Sequence, residues 1–133
     1  EKMKILLLFL LFCYYYFVKI SCVVRLKAKD ASKSDQFGFT TSIYKNKLVV
    51  SAIGDDDYGS YTGSAYVFQR INGGWSLQNK LIPFDGNTDG QFSSALQLHE
   101  DTLVIGAHGD HTADYFAGAV YIYNEVSSAW TMT

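Results

Sequence analysis

Apolar and polar positions follow one course twice along this chain. A run from Phe37 to Ile43 is followed by the polar turn Tyr44-Lys45-Asn46-Lys47 and then by the apolar run Leu48 to Ile53. A Gly- and Asp-rich stretch, Gly54 to Gly63, leads into Ser64 to Arg70, and Asn72-Gly73-Gly74 precedes a last run from Trp75 to about Ile82. Short β-rich runs bounded by Gly, Asn and Asp predict strands and turns, and Asn-Gly predicts a hairpin. The course recurs 55 residues on without a gap: Phe92 to Leu98, Leu103 to His108, Ala119 to Glu125, and a fourth run starting at Trp130. The third runs, Ala65-Tyr66-Val67-Phe68 and Val120-Tyr121-Ile122-Tyr123, are apolar at consecutive positions, which predicts sheets covered on both faces.

A fixed period of this length marks a repeat whose units bury their faces on one another. Four strands per unit, with both faces covered, predict an all-β fold of four-stranded antiparallel β-propeller blades, about two of them. A β-sandwich is the alternative, but it does not explain the period. Residues 25–36 match residues 80–91 at the same offset, with Leu26 on Leu81 and Asp30 on Asp85. The expected organisation is residues 23–36 as the last strand of a preceding blade plus connection, 37–90 as repeat one and 91–133 as a truncated repeat two. Two blades leave apolar faces and strand edges open. The chain is therefore expected either to be a piece of a longer propeller or to assemble with other copies.

The segment before the repeats has a different character. Lys2, Met3 and Lys4 precede an apolar run of 14 residues, Ile5 to Val18. As a helix it would span about 21 Å, short of the ~30 Å hydrocarbon core. A charged start, a short apolar centre and a polar exit predict a signal peptide over residues 1–22, with a signal anchor as the alternative. The expected location is secreted or cell-surface. Both cysteines, Cys13 and Cys22, lie in this segment, so the repeats would be held by packing rather than by disulfides.

Net charge is −2 with no basic stripe, which argues against nucleic acid as a partner. The chain has no Gly-x-Ser-x-Gly elbow, phosphate loop or His-Glu-x-x-His, and no catalytic set is assigned. It is read as a non-enzyme, with a fragment of a propeller hydrolase, whose active residues would come from several blades, as the alternative.

Several of these residues resemble the FG-GAP repeat family, the repeat of integrin α-subunit propellers. Phe37-Gly38 stands for the FG, and Ser51-Ala52-Ile53-Gly54 and Gly106-Ala107-His108-Gly109 stand for the Gly-Ala-Pro. Gly63-Ser64-Ala65-Tyr66-Val67-Phe68 and Gly118 to Tyr123 resemble the Gly-x-x-Tyr-Val-Phe strand, and Lys80-Leu81 ends the fourth strand. Ser93 replaces the Gly of FG in the second copy, and Ile53 and His108 replace the Pro. The resemblance implies an extracellular propeller used for adhesion or protein binding. The family's calcium loop between the first two strands has no counterpart here, where only the turns 44–47 and 99–102 are available.

Other candidate chemistry lies in the loops. Asp85, Asn87 and Asp89, in Asp85-Gly86-Asn87-Thr88-Asp89-Gly90, alternate as calcium ligands do, but the shell is not closed further on, and Asp-Gly pairs also make plain turns. No other cofactor is expected. Asp55-Asp56-Asp57 reads as a solvated turn, and His108, Asp110, His111 and Asp114 as a weak metal candidate. Tyr58, Tyr61, Tyr115 and Phe116, in the two long loops, are the candidate contacts for a protein or glycan ligand.

Overall fold

The structure, a computed structural model, describes residues 23–86 and 88–133 together with Lys4 and Leu7. The expected signal helix over residues 1–22 thus falls, apart from those two positions, outside the described residues. Among the described residues no helix is long and apolar enough to cross a membrane. Among the described residues eight strands form: β1 (Phe37–Tyr44), β2 (Lys47–Ala52), β3 (Ser64–Ile71), β4 (Gly74–Leu81), β5 (Phe92–His99), β6 (Thr102–Ala107), β7 (Ala119–Val126) and β8 (Ala129–Met132). Each lies within one residue of the run that predicts it. They make two four-stranded antiparallel sheets, ordered β1-β2-β3-β4 and β5-β6-β7-β8.

Local chemistry explains the turns and bends. Asn72 and Gly73 both have positive φ, as the two-residue hairpin requires, and Ser127 and Ser128 adopt it in the second sheet without a glycine. The β1–β2 and β5–β6 ladders each slip near their start, after Phe37 and after Phe92. Gly38 takes this irregularity at φ 94° and Ser93 at φ 73°. Ser93 replaces a glycine there and is fully buried, but its Oγ donates to the Ser64 carbonyl at 2.6 Å, so the seam gains a hydrogen bond.

The two sheets stack, with β5 lying against β1, β2 and β3. Between them sits one core, made of Val49, Ala65, Val67 and Leu81 from the first sheet and Phe92, Leu98, Leu103, Ile105, Ala107, Tyr121 and Tyr123 from the second. Side chains alternate across a strand, so Tyr66 and Phe68 take the other face of β3. There they pack with Val50, Ala52 and Ala28, backed by Leu26 and Phe37. Leu26 therefore covers the first sheet as Leu81 covers the second. Residues 23–36 nevertheless carry no strand, in contrast to the expected last strand of a preceding blade. Lys80 and Leu81 pair with Tyr66 and Ala65, whereas Arg25 and Leu26 have no equivalent edge beside them among the described residues.

The expectation of two covered faces holds for β3 and fails for β7. Ala65 to Phe68 are buried, but Val120 and Ile122 are exposed. The sequence pattern is that of a covered strand, and no described element covers this side.

Gly63 and Gly118 occupy the same repeat position at φ 83° and 76°. A methyl on Gly63 would overlap the backbone of Phe92, whereas one on Gly118 would meet nothing closer than 3.7 Å. Gly118→Ala is expected to cost about 1 kcal/mol, the backbone penalty alone. Gly63→Ala should cost about 1–3 kcal/mol more from overpacking the seam. Urea unfolding of the two variants measures the difference, and equal losses would mean that the seam yields freely.

Candidate functional site

The long loops 54–63 and 109–118 flank the connection between the sheets. The N–H groups of Asp89, Gln91 and Phe92 donate to the carbonyls of Ser60, Tyr61 and Thr62, and Gly109 N–H donates to the Gly90 carbonyl. The connection thus binds loop 54–63 at Ser60 to Thr62 and meets loop 109–118 at its first residue. Tyr58, Tyr61, Tyr115 and Phe116 all expose their rings there. Tyr115 and Phe116 meet edge to face with centroids 4.7 Å apart. Tyr61 and Phe116 fall at the same repeat position and share a positive φ, 51° and 52°. Holding a non-glycine residue in that region costs about 1–2 kcal/mol. The same aromatic character and the same backbone setting therefore recur where neither is the cheapest choice. The aromatic run was legible in the sequence, but the shared left-handed geometry was not.

At the start of loop 54–63 lies a polar cluster in which Asp55 is buried and Asp30 and Asp57 are exposed. Asp55 is not the solvated turn residue expected of Asp55-Asp56-Asp57. It is buried, and it accepts from Ser64 Oγ at 2.8 Å, from the Tyr66 hydroxyl at 2.9 Å and from Lys80 Nζ at 2.8 Å. Lys80 Nζ also reaches Asp30 at 2.8 Å and Asp57 at 2.6 Å, and stands 5.2 Å over the Tyr66 ring. Register produces this convergence, because Tyr66 and Lys80 are opposite partners on β3 and β4. Burial pushes the Asp55 carboxyl up, but hydrogen bonds from Lys80, Ser64 and Tyr66 outweigh it and hold it below the usual range. Burial pulls Lys80 down, but Asp30, Asp55 and Asp57 outweigh it and raise it well above an ordinary lysine. Burial raises the Tyr66 hydroxyl.

These shifts lead away from neutrality, whereas general acid–base chemistry needs a group poised near the working pH. The cluster is suited to holding the base of loop 54–63. Among the described residues, Asp30, Asp55 and Asp57 are the one carboxylate group compact enough for an ion, with oxygens within 4.8 Å of one another, and the Lys80 ammonium lies among them.

The second sheet repeats the frame. The Tyr121 hydroxyl lies 2.7 Å from Asp85 Oδ1 and 3.2 Å from Asp110 Oδ2, at the offset of Tyr66, Asp30 and Asp55. Asp85, a candidate calcium ligand, is therefore engaged by Tyr121, while Asp89 is exposed and holds the connection through its N–H. Asn87 lies outside the described residues. His108, Asp110, His111 and Asp114 do not converge: Asp110 turns to Tyr121, and His111 Nδ1 lies 3.3 Å from the Gly109 carbonyl. The signal for the buried frame was present as three pairs repeated at one offset. Only the fold shows that they meet.

At the opposite end of the strands, Lys47 of β2 bridges to Asp101 at 2.8 Å and to Glu125, tying the two sheets across their seam. The β1–β2 turn beside it offers Lys45, Asn46 and Lys47, which cannot form a calcium shell.

No curated protein matches the chain significantly. The family model described as the FG-GAP repeat matches residues 21–68 and again 75–123, so two copies span most of the sequence. With two equivalent four-stranded sheets set at the same period, this chain belongs to the FG-GAP repeat family and carries a β-propeller-like module.

Proposed function

We propose that this module acts outside the cell as a contact surface for a protein or glycan, without chemistry of its own. The observation that carries this is the set of four exposed aromatic rings, Tyr58, Tyr61, Tyr115 and Phe116, on two equivalent loops, the first of them held at Ser60 to Thr62 by the connection between the sheets. Exposed Tyr offers a large contact area with few rotamers to freeze, and a fixed backbone reduces the ordering cost of binding. Positive φ at Tyr61 and Phe116 fits a surface in which backbone comfort has been given up for side-chain direction. The basic start and short apolar run before the repeats support export.

Tyr58→Ser/Tyr61→Ser tests the proposal. Screened on immobilised glycans and secreted proteins, the unaltered chain is expected to capture at least one. The double variant should bind it at least about tenfold more weakly with an unchanged melting temperature. A large fall in melting temperature, or unchanged capture, would overturn the contact role.

A further inference from the structure

The seam between the two sheets does not stay closed along its whole length. Side chains alternate across β3, so Val67, Gln69 and Ile71 share the face turned to the second sheet. Val67 belongs to the shared core at 2% exposure, whereas Ile71 is 50% exposed. Over that stretch the sheets part and leave a cavity of about 340 Å³. Gln69, Ile71 and Gln78 line one side of it, and Glu125, Ser128 and Trp130 line the other. Both walls are paired at this level: Arg70 stands opposite Trp75 on β4, as Glu125 stands opposite Trp130 on β8. Gln78 reaches the cavity through an irregularity. It is the extra residue where the β3–β4 register shifts, between Asn79 opposite Val67 and Leu77 opposite Phe68. Bulges of this kind re-aim a side chain and are common beside binding sites.

The lining has the chemistry of a carbohydrate site. Trp130 is half-buried, and the Lys47 ammonium stands 5.7 Å from the centre of its ring. Lys47 is also shared by Asp101 and Glu125, so it steadies the indole and brings no spare charge. The amides of Gln69 and Gln78 and the hydroxyl of Ser128 have no hydrogen-bond partner among the described residues. Each amide offers donors and an acceptor, and a sugar hydroxyl uses both. The volume falls at the lower end of the ~300–1,000 Å³ usual for small-molecule sites, which suits a short saccharide.

We propose that this cavity binds a neutral glycan through a glucose-type pyranose, whose hydroxyls are all equatorial. Such a ring lays an apolar C–H face on Trp130 and turns its rim of hydroxyls to Gln69, Gln78 and Ser128. An acidic sugar is disfavoured, because Lys47, the one cation in the lining, already serves two carboxylates. A second cavity of about 360 Å³ adjoins the first at Lys47 and Gln69, with the turns at 44–46 and 100–101 as its other walls. A chain of linked sugars therefore runs from one cavity into the other along the seam. The site lies at the opposite end of the strands from the loop aromatics and does not depend on their role.

Calorimetric titration of the full chain with methyl β-glucoside, cellotetraose and glucuronate tests this. Cellotetraose is expected to bind saturably, at least about tenfold more tightly than the glucoside, and glucuronate more weakly than either. Gln69→Ala/Gln78→Ala should weaken cellotetraose binding at least about tenfold with an unchanged melting temperature, since both positions reach solvent. Tyr58→Ser/Tyr61→Ser should leave it unchanged, which keeps this site distinct from the loop surface. The chain has two tryptophans, so Trp75→Phe isolates Trp130, whose emission should change along the same titration curve. No saturable binding of cellotetraose up to its solubility limit would overturn the proposal. So would equal binding by the glutamine variant, tighter binding of glucuronate, or a Trp130 signal that ignores the sugar.

Discussion

Replacing Phe92 by alanine is expected to destabilise the protein by about 3–5 kcal/mol, the cost of emptying a buried aromatic site that cannot collapse. Phe92 is fully buried and belongs to the core shared by both sheets. Its ring meets Tyr121 edge to face at 5.1 Å and Tyr123 at 6.4 Å. Its N–H is held by the Thr62 carbonyl, so the backbone cannot follow the lost ring inward. Phe37 is the same residue of the repeat, with the same edge-to-face contacts to Tyr66 at 5.3 Å and Phe68 at 6.3 Å, but it is only half-buried. Phe37→Ala should cost about 1–2 kcal/mol, in proportion to the smaller area returned to water. Urea unfolding of both variants separates the seam from the blade. Equal losses would show that stacking of the sheets adds little to either one.

Lys80→Met should cost about 3 kcal/mol at neutral pH, because it leaves Asp55 buried and ionised beside Asp30 and Asp57. The intact cluster also fixes the shape of the pH profile. Asp30 and Asp55 titrate below their ordinary value of 3.8, so their stabilisation is full above that value and is lost as pH falls through the folded-state values. Lys80 titrates above its ordinary 10.5, so its stabilisation is full below that value and is lost only as pH rises through the folded-state value. The unaltered protein should therefore hold a plateau of melting temperature from about pH 5 to about pH 10 and fall on the acid side. In Lys80→Met, burial is left to act on Asp55 with less opposition, and its carboxyl rises above the unfolded-state value. The variant should then gain stability as pH is lowered from 7 toward about 5, the reverse of the parent. Melting temperature against pH, read by scanning fluorimetry, checks both limbs. Parallel profiles would show that Lys80 does not set the ionisation of the cluster.

The carboxylate–tyrosine frame also shows how far a sequence can be read. Asp30 and Asp85, Asp55 and Asp110, and Tyr66 and Tyr121 are visible as repeated pairs, yet no spacing rule joins residues 36 positions apart in sequence. Asp55 illustrates the difficulty. Three adjacent aspartates suit water, and only the position of β3 and β4 turns the first of them toward Ser64, Tyr66 and Lys80. The loop aromatics were easier to find, because Tyr and Phe in a Gly- and Asp-rich stretch stand out. Their exposure was not legible, since the same residues could have packed on a neighbouring sheet.

The sequence by itself determined the eight strands, their order in two copies and the residues on each face. Strand formation, hairpin turns and alternation are local, and a 55-residue offset writes them out twice. Tertiary structure decided which of two equal faces is buried. Val67 and Ile122 are alike as residues, but one lies under β5 and the other is exposed. Burial depends on what stacks against a strand, and that is a property of neighbours in space rather than of the strand's own residues.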